Sequence, residues 1–456
     1  MINTKHKDYA KWSPVWAKTR DAIEGQEAVK SKRTVYLPKL SGQTDSAYNN
    51  YLHRAQFVNF TSRTLTAAIG QLFRKDPVLT VDEEYLENID LAGTSFFHFS
   101  REMAREIMTT NRVGILVDYS DSLDRPYLVK YRAEEIINWQ TQIIDGQKIL
   151  TLVVLEGTIP VQSGSKYEIE DKTIWRELSL EDVYIVREFE KIDDNFVMIS
   201  EKIPEQNGQP LSFIPFYFCT SEGVTEQIRK ATLADFVNVN LAHYVNSADF
   251  ENMVHWAGQK TVIATGWGTD PFPIGGNAVL EKDGQAYYLE SSSDSCIENA
   301  MNKKEEQMAV MGSQIITGKG RYVASAETAR ITSEGEYATL ADISNSLSYC
   351  VDQFMRFFVE WATGREAEID VEYNTDFSVQ EMPQGALVEL MGAVQAGYIS
   401  YETFFYNLKN YEVFPAHWTI EKELEAIEQY QAIQKEKRSN DVESEIRDLM
   451  ESEDEL

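Results

Sequence analysis

The chain has 456 residues, enough for roughly two to four domains with real cores, and its 43% hydrophobic and 11% aromatic content excludes a disordered polymer. It carries 43 Lys and Arg against 73 Asp and Glu, a formal net charge of −30. That balance argues against a protein that clamps nucleic acid by neutralising phosphates, though not against one that lets DNA slide past without sticking.

Cys219, Cys296 and Cys350 lie far apart and form no Cys-x-x-Cys pair, so a reducing compartment is expected, with no disulfide framework and no zinc knuckle. The first residues open no apolar signal region, and no stretch has the length and apolarity of a membrane span.

In chain order, residues 8–30 read as a helix broken at Ser13-Pro14. After a small, polar loop, Asp45-Ser46 caps a helix whose stripe is Tyr51, Ala55, Val58, Ser62, Leu65, Ile69 and Leu72, stopped by Lys75-Asp76-Pro77. Thr94 or Ser95 caps a third helix with Phe96, Phe99, Met103 and Ile107 on one side. The period then shifts to two. Strands are expected at 113–119, 126–131, 148–155, 174–178, 183–189 and 196–199, with a short helical turn over 133–139 and a turn at Asn207-Gly208-Gln209-Pro210 before the apolar run 213–218. The first half is thus one α+β domain, helices first and an antiparallel sheet after them.

The middle of the chain differs. A helical pattern over 226–258, about 50 Å long, shows one stripe of Leu233, Val237, Leu241, Tyr244 and Ala248, interspersed with Asn238, Asn240, Asn246 and Asn252. A Gly-broken, strand-rich excursion over 259–294 follows, and a second helix runs over 295–316. Its stripe of Ile297, Met301, Met308, Met311 and Ile315 is interrupted by Lys303 and Lys304. Helices this polar read as a pair that packs sideways against neighbours; the plainer reading is an amphipathic hairpin inside a globular domain. A loop with Gly318, Lys319, Gly320, Arg321 and Tyr322 comes next, a basic and aromatic cluster in an acidic chain. Such a loop can touch a phosphate backbone without reading bases; as a plain helix connection it would do nothing. A long helix over 326–364, a strand over 366–373, helices over 384–396 and 401–408 with Ser400 as a cap, a charged helix over 421–437 and an acidic tail from 439 complete the chain.

The residues offer little catalytic chemistry. Gly318-Lys319-Gly320 lacks the Ser or Thr and the upstream Gly of a phosphate-binding loop. Gly266-Trp267-Gly268 is followed by no helix pattern, and there is no Gly-x-Ser-x-Gly elbow or His-Glu-x-x-His. His243 and His255 lie twelve residues apart, about 18 Å along a helix, too far to share a metal. No catalytic residue, metal site or cofactor is expected.

Several runs together resemble portal proteins of tailed bacteriophages, specifically a portal-like group catalogued as a conserved domain. They include 51–55 leading into 72–77, Gly114-Ile115-Leu116-Val117-Asp118-Tyr119, 133–139, Ile214-Pro215-Phe216, Leu233-Ala234-Asp235, 240–244, Ser247-Ala248-Asp249, and 308–312 ahead of Glu327-Thr328-Ala329. The resemblance implies an α+β portal fold assembled as a cyclic ring, usually of twelve subunits. It implies a wing over 1–225, stem helices at 226–258 and 295–316, a clip at 259–294, a tunnel loop at 317–326, a wing return over 327–376, and crown helices with the acidic tail over 377–456. It further implies a non-enzymatic DNA channel at one capsid vertex of the virion, assembled in the host bacterial cytoplasm. Expected partners are double-stranded DNA passing without sequence preference, the major capsid protein, the terminase large subunit and a head-completion or tail adaptor protein, with no membrane. Gly318, Lys319, Gly320, Arg321 and Tyr322 would line the channel, and Lys303 and Lys304 would face the lumen. The alternatives are another head–tail structural protein, such as an adaptor or minor capsid protein, or a metal-dependent nucleic-acid enzyme.

Replacing Lys319 and Arg321 with Ala is expected to leave assembly intact and to impair DNA packaging or retention. Counting full heads by electron microscopy checks this, and normal packaging in the double variant would remove the loop from the channel.

Overall fold

The computed structural model describes residues 1–258, 261–265, 283–289, 295–316, 338–375, 377, 385–410, 413–414 and 420–433. The chain separates into two compact units, Met1–Phe377 and Ser378–Leu456.

Helix α1 (Lys7–Glu24) starts where the His6 imidazole accepts from the Asp8 amide, and it runs unbroken through Pro14. The break falls instead at Gly25, where φ is +109° and a Cβ would lie 2.9 Å from the Asn59 carboxamide. Only glycine turns the chain there without strain. Helix α2 (Gln26–Ser31) follows. The single helix expected after residue 45 is two: α3 (Asp45–Arg54), capped by Thr44 rather than by Asp45 or Ser46, and α4 (Phe60–Leu72), capped by Asn59. The reason for the split is that the intervening backbone bonds elsewhere. The Gln56 amide donates to Ser247 Oγ and the Phe57 amide to Gln26 Oε1.

A two-residue strand β1 (Val78–Leu79) and the short helix α5 (Glu83–Glu87) lead to α6 (Phe96–Thr110). Ser95 caps α6, and Phe96, Phe99, Met103 and Ile107 are buried, as their spacing predicts. The sheet begins with β2 (Val113–Ser120) and β3 (Arg125–Arg132), paired from Val113↔Arg132 to Ser120↔Arg125. After a 3-10 turn at Ala133–Glu135, the segment expected to be helical as far as Trp139 becomes strand β4 (Ile136–Ile144). Strands β5 (Gln147–Gln162), β6 (Ile169–Leu180), β7 (Tyr184–Ile192) and β8 (Asn195–Lys202) complete a five-stranded antiparallel meander with β4, its strands longer than their apolar runs suggest. A minor pair, β9 (Glu205–Gln206) and β10 (Gln209–Pro210), precedes β11 (Phe216–Thr220) and β12 (Gly223–Val224), which join β2 and β3 in the order β12-β11-β2-β3. Gly114 on β2 is required by close approach: a Cβ there would come within 2.2 Å of the Phe216 ring and 2.9 Å of Ile136.

The helix expected over 226–258 begins only at Ala234, as α7 (Ala234–Gly258). In the lead over 226–233, two carbonyls are taken by side chains from the α6–β2 junction. Arg112 Nη1 donates to the Glu226 carbonyl at 2.8 Å and Asn111 Nδ2 to the Lys230 carbonyl at 3.1 Å. Asn111 itself sits at φ +54°, ending α6, and its Oδ1 accepts from the Ser221 amide. Arg112 is fully buried between the Trp139 and Phe218 rings, 4.0 and 4.5 Å from their centroids. Burial holds its guanidinium below the ordinary arginine range, and the nearby Glu226 carboxylate opposes that shift. The two ring faces supply attraction that the burial removes.

Of the excursion after α7, the described residues form a hairpin, β13 (Thr261–Ala264) with β14 (Ala286–Leu289). Helix α8 (Ser295–Ile316) has the bounds its pattern predicts. The next helix is described from residue 338, as α9 (Ala338–Thr363), with Leu340, Ile343, Leu347, Val351, Phe354 and Phe358 buried at helical spacing. Of the strand expected over 366–373, only β15 (Val371–Glu372) pairs, with β1. The principal core lies where α4, α6 and α9 meet the four-stranded sheet, and Cys219 on β11 and Cys350 on α9 touch within it. A second core joins α2 and α3 to α7 through Val29, Leu37, Tyr48, Tyr51, Val237, Leu241 and Tyr244.

In the second unit, α10 (Ala386–Gln395) turns through Gly397 into α11 (Tyr401–Asn410), whose Thr403 amide donates to the expected cap, Ser400 Oγ, at 3.1 Å. Phe405 stacks on Phe414 at 4.9 Å, and a further helix covers 420–433.

Asn240 on α7 is buried and bonds three groups of its own chain: its Oδ1 accepts from the Thr61 amide and hydroxyl, and its Nδ2 donates to the Val58 carbonyl. Asn240→Ala strands the buried Thr61 amide and hydroxyl, while the Val58 carbonyl keeps the Phe60 amide, so a loss of about 2–4 kcal/mol is expected. Urea unfolding of the dilute chain measures it.

Candidate functional site

The candidate site is the pair α7 and α8 with the hairpin that joins them. The helices are antiparallel neighbours: Phe236 lies beside Gly312, and seven residues on, His243 Nε2 meets Glu305 Oε1 at 3.1 Å. His243 is buried, edge-on to Phe60, and its Nδ1 has no hydrogen-bond partner among the described residues.

The first half of α7 is covered by its own chain. Beside Asn240, Ser247 Oγ donates to the Gln56 carbonyl at 2.7 Å, Tyr51 donates to Asp249 at 2.6 Å, Lys18 to Asn238 at 2.7 Å and Arg54 to Asn252 at 2.9 Å. Burial, and then the bond to Asp249, push the Tyr51 hydroxyl well above its ordinary range, so it stays a donor. Three of the four asparagines therefore serve contacts within the chain. The signal was present in the sequence. Asn240, His243 and Ser247 recur at i, i+3 and i+7, the spacing of one helix face.

Coverage then stops. Val254 and Trp256 near the end of α7 are 47% and 56% exposed, and on α8 only Met308 and Gly312 are buried among the residues described. Ile297, Met301, Lys304, Met308, Met311 and Ile315 form the stripe of α8 that turns inward. Lys304 falls on that stripe and is half-buried, whereas Lys303, about 100° round the helix, is exposed. The two lysines thus do not share a face, and neither makes an ion pair among the described residues. Gly318, Lys319, Gly320, Arg321 and Tyr322 lie outside the described residues, and the structure brings none of them to Lys303 or Lys304.

A family model described as a domain of unknown function (DUF4055) matches residues 232–362. That span runs from the turn before α7 through the hairpin and α8 almost to the end of α9, less than a third of the chain. No curated protein matches. Among solved structures, a chain of the virion of a native gene transfer agent (GTA) particle is 12% identical, with a TM-score of 0.40, over 82% of this chain and 96% of that one. A chain in the neck of an empty GTA particle, computed with C6 symmetry, gives 12% and 0.40 over 86% of this chain and 100% of its own length. One in the neck of a native GTA particle, computed with C12 symmetry, gives 12% and 0.41 over 78% and 92%. At such scores and identities these likenesses carry no argument about function.

Among the described residues, no three His, Cys, Asp or Glu are grouped so as to hold a metal ion, and no helix is long and apolar enough to cross a membrane.

The seat of α8 gives a direct check. A Cβ on Gly312 would meet Thr64 Oγ1 of α4 at 3.4 Å and the Phe236 ring at 3.6 Å, ordinary contact distances. Gly312→Ala is expected to fit and to stabilise α8 by up to about 1 kcal/mol. Gly312→Leu overpacks the seat, at a cost of about 1–3 kcal/mol. Thermal melts of the two variants should move in opposite directions.

Proposed function

We propose that this chain is a portal subunit, one copy of a closed ring through which double-stranded DNA enters and leaves a phage-like head. The observation that carries this reading is the uneven cover of the α7–α8 pair. Its base is bonded to its own chain through Asn240, Ser247 and Asp249, while its far end and the outer face of α8 are bare, with Val254, Trp256 and Val310 exposed. Identical neighbours in a cyclic assembly would cover such a surface in every copy at once.

On this reading residues 1–225 and 327–376 are the wing, α7 and α8 are the stem, β13 and β14 belong to the clip, 317–326 is the tunnel loop, and 377–456 is the crown with its acidic tail. The ring, of twelve copies by the resemblance, hydrolyses nothing. It docks the terminase motor during packaging and a head-completion or tail adaptor protein afterwards, seated in the major capsid protein at one vertex of the virion. A net charge of −30 on each copy suits a conduit from which phosphate is repelled, with Lys303 and the loop lysine and arginine giving weak, sequence-blind contact.

Negative-stain microscopy of the purified chain tests the reading. Rings with a central opening are expected. Trp256→Asp combined with Val310→Asp should leave the circular dichroism unchanged and shift the sedimentation to single chains. A wild-type chain that sediments only as a monomer at high concentration would overturn the proposal.

A further inference from the structure

Strands β5 and β6 outrun their sheet. β4 pairs with β5 only as far as Leu155, and β7 pairs with β6 only from Ile174. Beyond Gly157 and Ile174 the two strands pair with each other alone, from Thr158↔Thr173 to Gln162↔Ile169. A two-stranded ribbon is marginal in water without a surface to lie on. This one exposes apolar groups on both faces: Ile159 is 44% exposed, Ile169 71%, and Tyr167 at the turn 82%. It is also acidic. Glu168, Glu170 and Asp171 are exposed and make no ion pair among the described residues, and Lys172 is held by Glu190 at 2.7 Å.

The opposite kind of surface exists on the same chain. Residues 26–54, the lobe of α2 and α3 that packs on α7, contain five Lys and Arg against two Asp and Glu, in a chain that is otherwise heavily acidic. Lys32, Arg33 and Lys39 are exposed there, around Val35 at 71% and Leu40 at 50% exposure; Lys39 is paired with the exposed Asp45 at 2.8 Å and Lys32 lies 3.6 Å from Asp21, so the lobe keeps a net positive rim rather than three unpaired cations. Thus one surface is apolar with a negative rim, and the other apolar with a positive rim.

We infer that the β5–β6 arm of one copy docks on the α2–α3 lobe of the next. The occupant is argued from charge. Copies of a −30 chain repel one another on average, so ring closure is favoured where a local positive surface meets a local negative one. Each copy carries one arm and one lobe, so the contact is heterologous and repeats around a closed ring with none left over. The contact is small beside a standard interface and supplements the helix contacts of the stem. It rests on the ring reading above and adds a specific second contact to it.

The test uses the full chain with the exposed Cys296 changed to Ser. Carrying Val35→Cys and Ile169→Cys together, it should give a ladder of covalently linked copies under mild oxidation, with neither single variant doing so. Lys32→Glu with Lys39→Glu should raise the concentration needed for assembly by about tenfold at low salt, as should Glu170→Lys with Asp171→Lys. Combining the four reversals should restore assembly to near the wild-type concentration, which a merely misfolded variant would not do. Rings visible by microscopy that give no ladder, or reversals that neither weaken assembly nor rescue one another, would overturn the inference and leave the ring reading standing. A parent chain that forms no rings under any condition would overturn both.

Discussion

The central helix of this protein is held by a carboxamide. Asn240 satisfies a backbone amide, a hydroxyl and a carbonyl at the place where α3 gives way to α4, and Ser247 bonds the Gln56 amide and carbonyl about two turns farther on. Those backbone groups need partners because the helix breaks at 55–59, and α7, with Gln26 of α2, supplies them. The break and the central helix therefore support each other. The second core then forms around the junction, with Tyr51 and Tyr244 buried on either side. Past Asp249 the bonds to the same chain thin out, and among the described residues the side-chain bond of Arg54 to Asn252 is the last before α7 ends.

Much of this was legible in the residues. The α+β order, the cap at Ser95, the bounds of α8, the buried stripe of α9 and the turn before Ser400 follow from period, caps and breakers, which act locally. What was not legible depends on distant partners. Nothing near Glu226 says that Arg112 will take its carbonyl, so the pattern there reads as helix where the chain runs through bends and a turn. Likewise the clean stripe from Tyr51 to Leu72 conceals a break whose cause lies almost two hundred residues away, at Ser247. Pro14 misled in the other direction, since α1 tolerates it and yields at Gly25 instead.

The candidate site divides along the same line. The helix pair was found from its pattern, but the role of its asparagines was not, because a polar side chain on a helix looks alike whether it awaits another subunit or its own chain. The fold also separates Lys303 from Lys304, which adjacency in sequence had joined. Their positions follow from 100° per residue on a helix whose inward stripe runs through Lys304. The basic lobe at 26–54 escaped notice for a different reason: an overall charge of −30 hides a local excess of the opposite sign.

The clamp formed by Asn111 and Arg112 has a mechanical meaning. It ties the irregular lead into α7 to the junction of α6 and β2, a few residues after β12 has left the sheet. The guanidinium rests against the Trp139 and Phe218 rings, which are tilted 58° to one another and close on it from two sides. The clamp is therefore a second tie, made of side chains, beside the covalent one that already runs from β12 into α7.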